Sequence, residues 1–274
     1  MGLIVITGAS GRLGGRVARK LDGAKRLLVR DAARAPHTDG AEVAVAEYRD
    51  GEAVRRGLEG AETVFMVSAA ETPERVAEHR SFVDAAVRAG VRQLVYTSFV
   101  GAAPDASFTL ARDHWATEEH IRRSGLAFTF LRDNLYADFL PLMVGEDGII
   151  RGPAGDGRAA VVAQDGIADA AVAVLRDPVA HSGRTYDLTG PAALTLAEVA
   201  ATISAATGRP VGYHNETLPE AYASRSSYGA PDWQVEAWVS TYTAIANGEL
   251  EAVSTAIPEL TGHPATTLAE LLTT

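Results

Sequence analysis

Glycine recurs at positions 8, 11 and 14, and this Gly-x-x-Gly-x-x-Gly spacing suits a pyrophosphate. Glycine permits a tight turn, a close approach of backbone to the diphosphate, and close packing of the following helix on the strand before it. Phosphate oxygens would then meet amide N–H groups at the positive end of a helix. Thr7, Gly8, Ser10, Gly11, Arg12, Leu13 and Gly14 make up this candidate dinucleotide loop. The second strand ends in Leu28-Val29-Arg30-Asp31. A carboxylate there would accept from the ribose 2′-hydroxyl of NAD, whereas a cation would hold the 2′-phosphate of NADP. Arg30 takes that place, with Arg34 close behind and Arg12 in reach, so the expected cofactor is NADP(H). A shift of one residue would present Asp31 instead.

Proton chemistry has its own candidates in Ser98, in the His114-x-x-x-Glu118 spacing, and in Asn134 and Tyr136. An ordinary imidazole pKa near 6.5 suits His114 to donating a proton or orienting an acceptor, the alternative being a helix histidine bonded to a loop carbonyl. Glu118 is expected to be a solvated or capping charge. Tyr136 could stack on a planar acceptor, bond its oxygen, or simply pack. Phe139 and Met143 are expected in the core. Tyr222, Tyr228, Trp233 and Trp238 are expected to pack inside a lobe rather than roof a flat aromatic substrate.

The elements that must position these residues alternate from the start. Strands are expected at Leu3 to Thr7, Arg26 to Arg30, Glu42 to Val45, Thr63 to Ser68, Gln93 to Ser98 and Ala127 to Arg132. The first helix shows an apolar face in Leu13, Val17 and Leu21. Others run from the cap Asp50 to Gly60, from Thr72-Pro73 to Gly90, and from about Arg112 to Ser124. The pattern predicts an α/β fold, a Rossmann-type doubly wound parallel sheet with a smaller, mostly helical C-terminal lobe. Its ligand crevice would lie at the carboxyl ends of the strands, which places Asn134 and Tyr136 at the crevice mouth. Residues 1–135, completed by about 158–189, would form the dinucleotide domain; 136–157 and 190–274 would form the substrate-side lobe. Later expectations are strands near Gly148 to Arg151, Ala160 to Ala163 and Thr185 to Leu188, a helix from Gly166 to Arg176, and a capping box at Thr195-Leu196-Ala197-Glu198.

The net charge is −10 and no basic run occurs, which argues against nucleic acid or an anionic membrane as the main partner. Cysteine is absent, so disulfides, thiolate nucleophiles and Cys-ligated metals are excluded. The seven histidines show no metalloenzyme spacing, and no metal is expected. No apolar run reaches transmembrane length, and the N-terminus enters a strand without a signal-like head. A cytoplasmic setting is expected.

Together with Tyr96-Thr97-Ser98, His114, Arg132-Asp133-Asn134-Leu135-Tyr136, Ala154-Gly155-Asp156-Gly157-Arg158 and Leu260-Thr261-Gly262-His263-Pro264, the loop and the Val29-Arg30-Asp31 strand end resemble the NmrA-like group of atypical short-chain dehydrogenases/reductases. Within it, the chain is similar to bacterial QOR2-type NAD(P)H:quinone oxidoreductases and to triphenylmethane reductases, over essentially its whole length. The resemblance implies NADPH contacts along Gly8 to Leu13, at Arg30, along Ser68, Ala69, Ala70 and Glu71, and along Asp133, Asn134, Leu135, Tyr136 and Asp138. Two positions depart from the pattern: Gln164 stands where a relative has Arg, and Asp133-Asn134 where it has Asn-Gly.

Standard short-chain dehydrogenases pair Ser with Tyr-x-x-x-Lys, the lysine lowering the tyrosine pKa for proton exchange. Here the only lysines are Lys20 and Lys25, too early to serve. Alcohol–ketone oxidoreduction and sugar-nucleotide epimerisation need that relay and are disfavoured. The expected function is an NADPH-dependent oxidoreductase passing hydride to a quinone-like or conjugated small acceptor, with His114, Tyr136 and Ser98 as catalytic candidates. The alternative is a redox sensor or regulator that binds NADP(H) without turnover. Oligomeric state is not encoded in any readable pattern.

Overall fold

The computed structural model describes residues 2–273. Its elements run β1 (Leu3–Thr7), α1 (Arg12–Lys20), β2 (Lys25–Val29), β3 (Glu42–Val45), α2 (Gly51–Gly57), β4 (Ala61–Met66), α3 (Arg75–Arg88), β5 (Gln93–Phe99), α4 (Thr109–Arg123) and β6 (Ala127–Asp133). They continue with β7 (Ile149–Gly152), β8 (Arg158–Ala159), α5 (Gln164–Arg176), β9 (Arg184–Leu188), β10 (Leu194–Thr195) and α6 (Leu196–Thr207). The last are β11 (Gly212–Asn215), α7 (Leu218–Arg225), α8 (Asp232–Ala246), α9 (Ala256–Thr261) and α10 (Leu268–Thr273).

A seven-stranded sheet has the order β3-β2-β1-β4-β5-β6-β9. β1 pairs in parallel with both β2 and β4, so the winding direction reverses between them. Such a reversal opens a crevice at the strand carboxyl ends, here between the loops after β1 and β4. Apolar runs in the middle strands reflect burial on both faces: Val64, Phe65 and Met66 are all buried, as are Leu94, Val95 and Tyr96. Leu13, Val17 and Leu21 are buried as the helix periodicity predicts. Asp50 caps α2 by accepting from Ala53 N–H at 2.9 Å.

Two local expectations are corrected. Thr72-Pro73 does not open a helix, because the Thr72 carbonyl accepts from Arg75 N–H at 3.2 Å and closes a turn. Proline suits the second position of such a turn, and α3 begins after it. Ala160 to Ala163 is not a strand. Its partners are irregular segments, so only a one-residue bridge between Tyr136 and Val162 forms, while β8 just before it pairs with β10.

The chain divides into two compact units. One comprises the residues through Ser98, Asp113–Arg132 and Ile167–Tyr186; the other comprises Phe99–Arg112, Asp133–Gly166 and the residues from Asp187 onward. Residues 99–112, 133–135, 158–166 and 187–189, which the sequence reading grouped with the dinucleotide domain, cluster with the second unit. Val100, Phe108, Ala111, Ala159 and Val161 pack in its core with Leu196, Val199 and Ile245. No helix among the described residues is long and apolar enough to cross a membrane.

Candidate functional site

In the first unit the glycine loop is a tight turn: Gly8 has a φ of 60° and its carbonyl accepts from Gly11 N–H at 2.8 Å. A side chain at Gly14 would place its Cβ 2.4 Å from that carbonyl oxygen, so only glycine lets α1 approach this closely. No side chain caps the start of α1. Thr7 is buried; its hydroxyl bonds Tyr48 and accepts from Val67 N–H at 2.9 Å, tying β1 to the end of β4. Leu13 and Gly14 are buried parts of the helix rather than open surface.

Beside the loop lies a cavity of about 440 Å3. Gly8, Ser10, Gly11, Arg30 and Arg34 line it, with Val67, Ser68, Ala69 and Ala70 from the end of β4. Asp31 does not join them. Its carboxylate accepts from Ala33 N–H at 3.0 Å and caps a 3-10 turn, Ala32–Arg34. Of the two adjacent residues, Arg30 is the one that lines this cavity. Among the described residues neither Arg30 nor Arg34 has an ion pair, while Arg49 is engaged by Glu47 at 2.6 Å. Arg12 and Glu71 are not part of the lining, although the sequence placed both in the cofactor set. Thr72 Oγ1 is buried on the cavity wall without a hydrogen-bond partner. The residues fit a phosphorylated dinucleotide: a glycine turn that a Cβ would fill, two available guanidiniums, and an orphaned hydroxyl.

The predicted proton donors of this unit are sequestered. Ser98 is buried and donates to Glu118 Oε1 at 2.6 Å. Glu118 is fully buried, contrary to the expected solvated charge, because Arg132 grips both its oxygens at 2.8 and 2.7 Å and Arg122 adds a third bond at 3.0 Å. His114 is buried between Arg75, 3.0 Å from Nε2, and the Tyr96 hydroxyl, 3.0 Å from Nδ1. Arginine only donates, so Nε2 accepts and Nδ1 carries the proton. Burial first, and then the charge of Arg75, hold this imidazole well below its usual pKa. The unperturbed value expected from sequence does not apply.

Sequence reading missed His79. Its Nε2 accepts from Ala69 N–H at 2.8 Å, and its Nδ1 lies 2.9 Å from Thr117 Oγ1, which itself donates to the Asp113 carbonyl. Arg75 adds a 3.1 Å bond to the Ala69 carbonyl. Both groups therefore set the shape of the loop after β4, which lines the cavity.

The second unit has its own cavity, of about 890 Å3. Its walls include Tyr136, Phe139, Met143, Tyr228, Trp238 and Tyr242. Met143 and Trp238 pack against the hydrophobic core as expected and also border the cavity, whereas Phe139 and Tyr228, expected in the core, are exposed; helical periodicity does not distinguish a core face from a cavity face. Two arginines of the lining are already neutralised, Arg225 by Glu216 at 2.8 Å and Arg151 by Asp147 at 2.5 Å. Tyr136 Oη lies 2.9 Å from Asp133 Oδ2, and its ring packs on Phe139 with centroids 5.7 Å apart. Asn134, expected at a crevice mouth, is buried: its side-chain amide donates to the Leu250 carbonyl at 3.0 Å and its Oδ1 accepts from Leu135 N–H. Asp138 Oδ2 accepts from Gln164 N–H at 2.8 Å, at the start of α5. Leu135 lines the cavity beside Tyr136.

The model of the NmrA-like family matches residues 1–252. This chain belongs to the NmrA-like family. An NAD(P)H azoreductase of Xenophilus azovorans is 33% identical over 276 residues, 98% of this chain and 96% of that one. The Escherichia coli NADPH-dependent quinone oxidoreductase QOR2, solved with NADPH, superposes with a TM-score of 0.88 at 32% identity over 98% of each chain. The Citrobacter triphenylmethane reductase complexed with NADP(H) gives 0.87 at 30% identity, again over 98% of each. Among the described residues of this NmrA-like protein, no group of three or more acidic, histidine or cysteine side chains could hold a metal ion.

Proposed function

We propose that this NmrA-like chain is an NADP(H)-dependent reductase of quinone-like or otherwise conjugated small acceptors. The observation that carries the reading is the end of β2, where Arg30 and Arg34 line the cavity while Asp31 spends its carboxylate on a backbone cap. Arg30 and Arg34 would hold the 2′-phosphate, the Gly8 turn and the start of α1 the pyrophosphate, and Ser68 to Ala70 the adjoining ribose. When bound, the dihydronicotinamide supplies a hydride. The azoreductase, quinone reductase and dye reductase relatives support the chemistry.

The acceptor would occupy the aromatic-walled cavity of the second unit. Tyr136, Phe139 and Trp238 offer flat faces, and Arg151 and Arg225, each paired with a carboxylate, do not favour an anion. Ser98 and His114, bound into buried networks, hold these strands and helices in place rather than meeting substrate. An electrophilic conjugated acceptor needs no strong base, which agrees with the missing Tyr-x-x-x-Lys pair. The test is stopped-flow NADPH absorbance after mixing the purified protein with quinones, azo and triphenylmethane dyes, and enones. Oxidation well above the protein-free rate supports a reductase. A trace that matches the control with every acceptor would instead make the protein a non-catalytic NADP(H) sensor.

A further inference from the structure

Asp133 closes β6 and is about 1% exposed. One of its oxygens, Oδ2, meets the Tyr136 hydroxyl at 2.9 Å, while the other, Oδ1, is buried without a hydrogen-bond partner. An ionised carboxylate normally satisfies both oxygens or pairs with a cation, because leaving charge dry and unpaired is costly. Among the described residues no cation does so. Arg132, the preceding residue, is bound to Glu118, and the neighbouring carboxylate of Asp138 is turned onto Gln164 N–H. Among the described residues Tyr136 is the one titratable group that acts on Asp133, and burial pushes this carboxyl up to about 8. A carboxylic acid that keeps its proton at neutral pH is a proton reservoir.

Asp133 does not itself reach the cavity of the second unit, but Tyr136 lines its wall. We infer that Asp133 and Tyr136 form a proton relay, in which Tyr136 protonates the reduced acceptor and Asp133 reloads Tyr136. The inference rests on the reductase reading and deepens it. A quinone that has taken up a hydride is a hydroquinone anion and needs one further proton. The Tyr136 O–H bond breaks as the acceptor O–H bond forms. The tyrosine oxygen takes the proton of the Asp133 carboxyl, and once the product has left, water entering the cavity returns a proton to that carboxylate through the Tyr136 hydroxyl. One hydride and one proton enter and one hydroquinone leaves, so charge and atoms balance. Tyr136 is the catalytic residue in this scheme and Asp133 the group that positions and supplies it. The relay occupies the role that a lysine-activated tyrosine fills elsewhere, but it runs as an acid rather than a base.

The experiment is the pH dependence of kcat for quinone reduction in wild type, Asp133→Asn, Tyr136→Phe and the double variant, with NADPH affinity measured alongside. The expected wild-type kcat falls above about pH 8, where the carboxyl ionises. Each single variant should lose about tenfold or more in kcat at neutral pH, and lose that alkaline limb, with NADPH affinity within about twofold of wild type. The double variant should be no worse than the poorer single one, since both act on one proton. A carboxyl-carbon NMR titration of the wild-type protein adds a readout that does not depend on folding of the variants. It should show Asp133 protonated at pH 7. Unchanged kcat and pH profile in Asp133→Asn overturns the relay alone, as does ionisation of Asp133 by pH 6. A large loss of NADPH affinity with the pH profile intact makes Asp133 a cofactor contact and also overturns it. A wild type that reduces no acceptor at all refutes the reductase reading, and the relay falls with it.

Discussion

The Ser98 hydroxyl donates to Glu118 Oε1 at 2.6 Å, and that bond commits the serine to the interior. It completes the shell of a carboxylate already held by Arg132 and Arg122. Ser98→Ala should therefore lower turnover by much less than the 10²–10⁴ typical of acid–base groups. Glu118→Gln leaves Arg132 and Arg122 without their shared counter-charge and should cost about 1–3 kcal/mol of stability, since both arginines keep some contact with solvent. Thermal melts and quinone reduction on both variants check this. A collapse of kcat in Ser98→Ala at unchanged melting temperature would contradict it.

Arg30 should decide cofactor choice. One charge-assisted bond to a 2′-phosphate contributes on the order of 1.5–3 kcal/mol, so Arg30→Ala should weaken NADPH at least tenfold and NADH little. Fluorescence titration with both nucleotides measures it. Equal wild-type affinities for the two would remove the basis of the NADP(H) assignment.

Gly14→Ala is expected to abolish nucleotide binding. The new methyl would sit 2.4 Å from the Gly8 carbonyl oxygen, so either the turn or α1 must move. A substitution at Gly23, where a Cβ meets nothing within 4 Å, serves as a control only for crowding, since its φ of 89° still strains any other residue. Calorimetric titration with NADPH should show binding lost in Gly14→Ala. Wild-type affinity there would mean that the loop is more adaptable than its geometry indicates.

Two groups of buried titratable side chains give opposite pH signatures. His79 and His114 have folded pKa values well below 6.5, so their stability contribution is present above about pH 6.5 and is lost as pH falls, when the unfolded chain takes up protons. Asp133 has a raised folded value of about 8, so between about pH 4 and 8 the native state holds a proton that the unfolded state does not. Its contribution therefore declines as pH rises, by up to about 1.4 kcal/mol per pH unit. Asp133→Asn should raise the melting temperature more at pH 8 than at pH 5. An increment independent of pH would show that Asp133 is ionised in the folded protein.

Local patterns determined much of this protein. The strand–glycine–helix start, the Asp50 cap and the alternation through β6 are written in neighbouring residues, because turn chemistry and apolar periodicity act over a few positions. The α/β class followed from them, as did Arg30 as the cation at the end of β2. Tertiary structure decided what depends on residues far apart in the chain. Asp31 and Arg30 are adjacent, and only the 3-10 turn shows which one faces the cavity. Glu118 reads as a surface charge until Arg132, 14 positions later, is folded against it. Phe139, Met143 and Trp238 have the spacing of core residues, since burial against protein and exposure to a cavity impose the same apolar period. The protonation of Asp133 is the furthest from the sequence. It arises from a carboxyl oxygen buried without a hydrogen-bond partner, a property of the packed interior rather than of any motif.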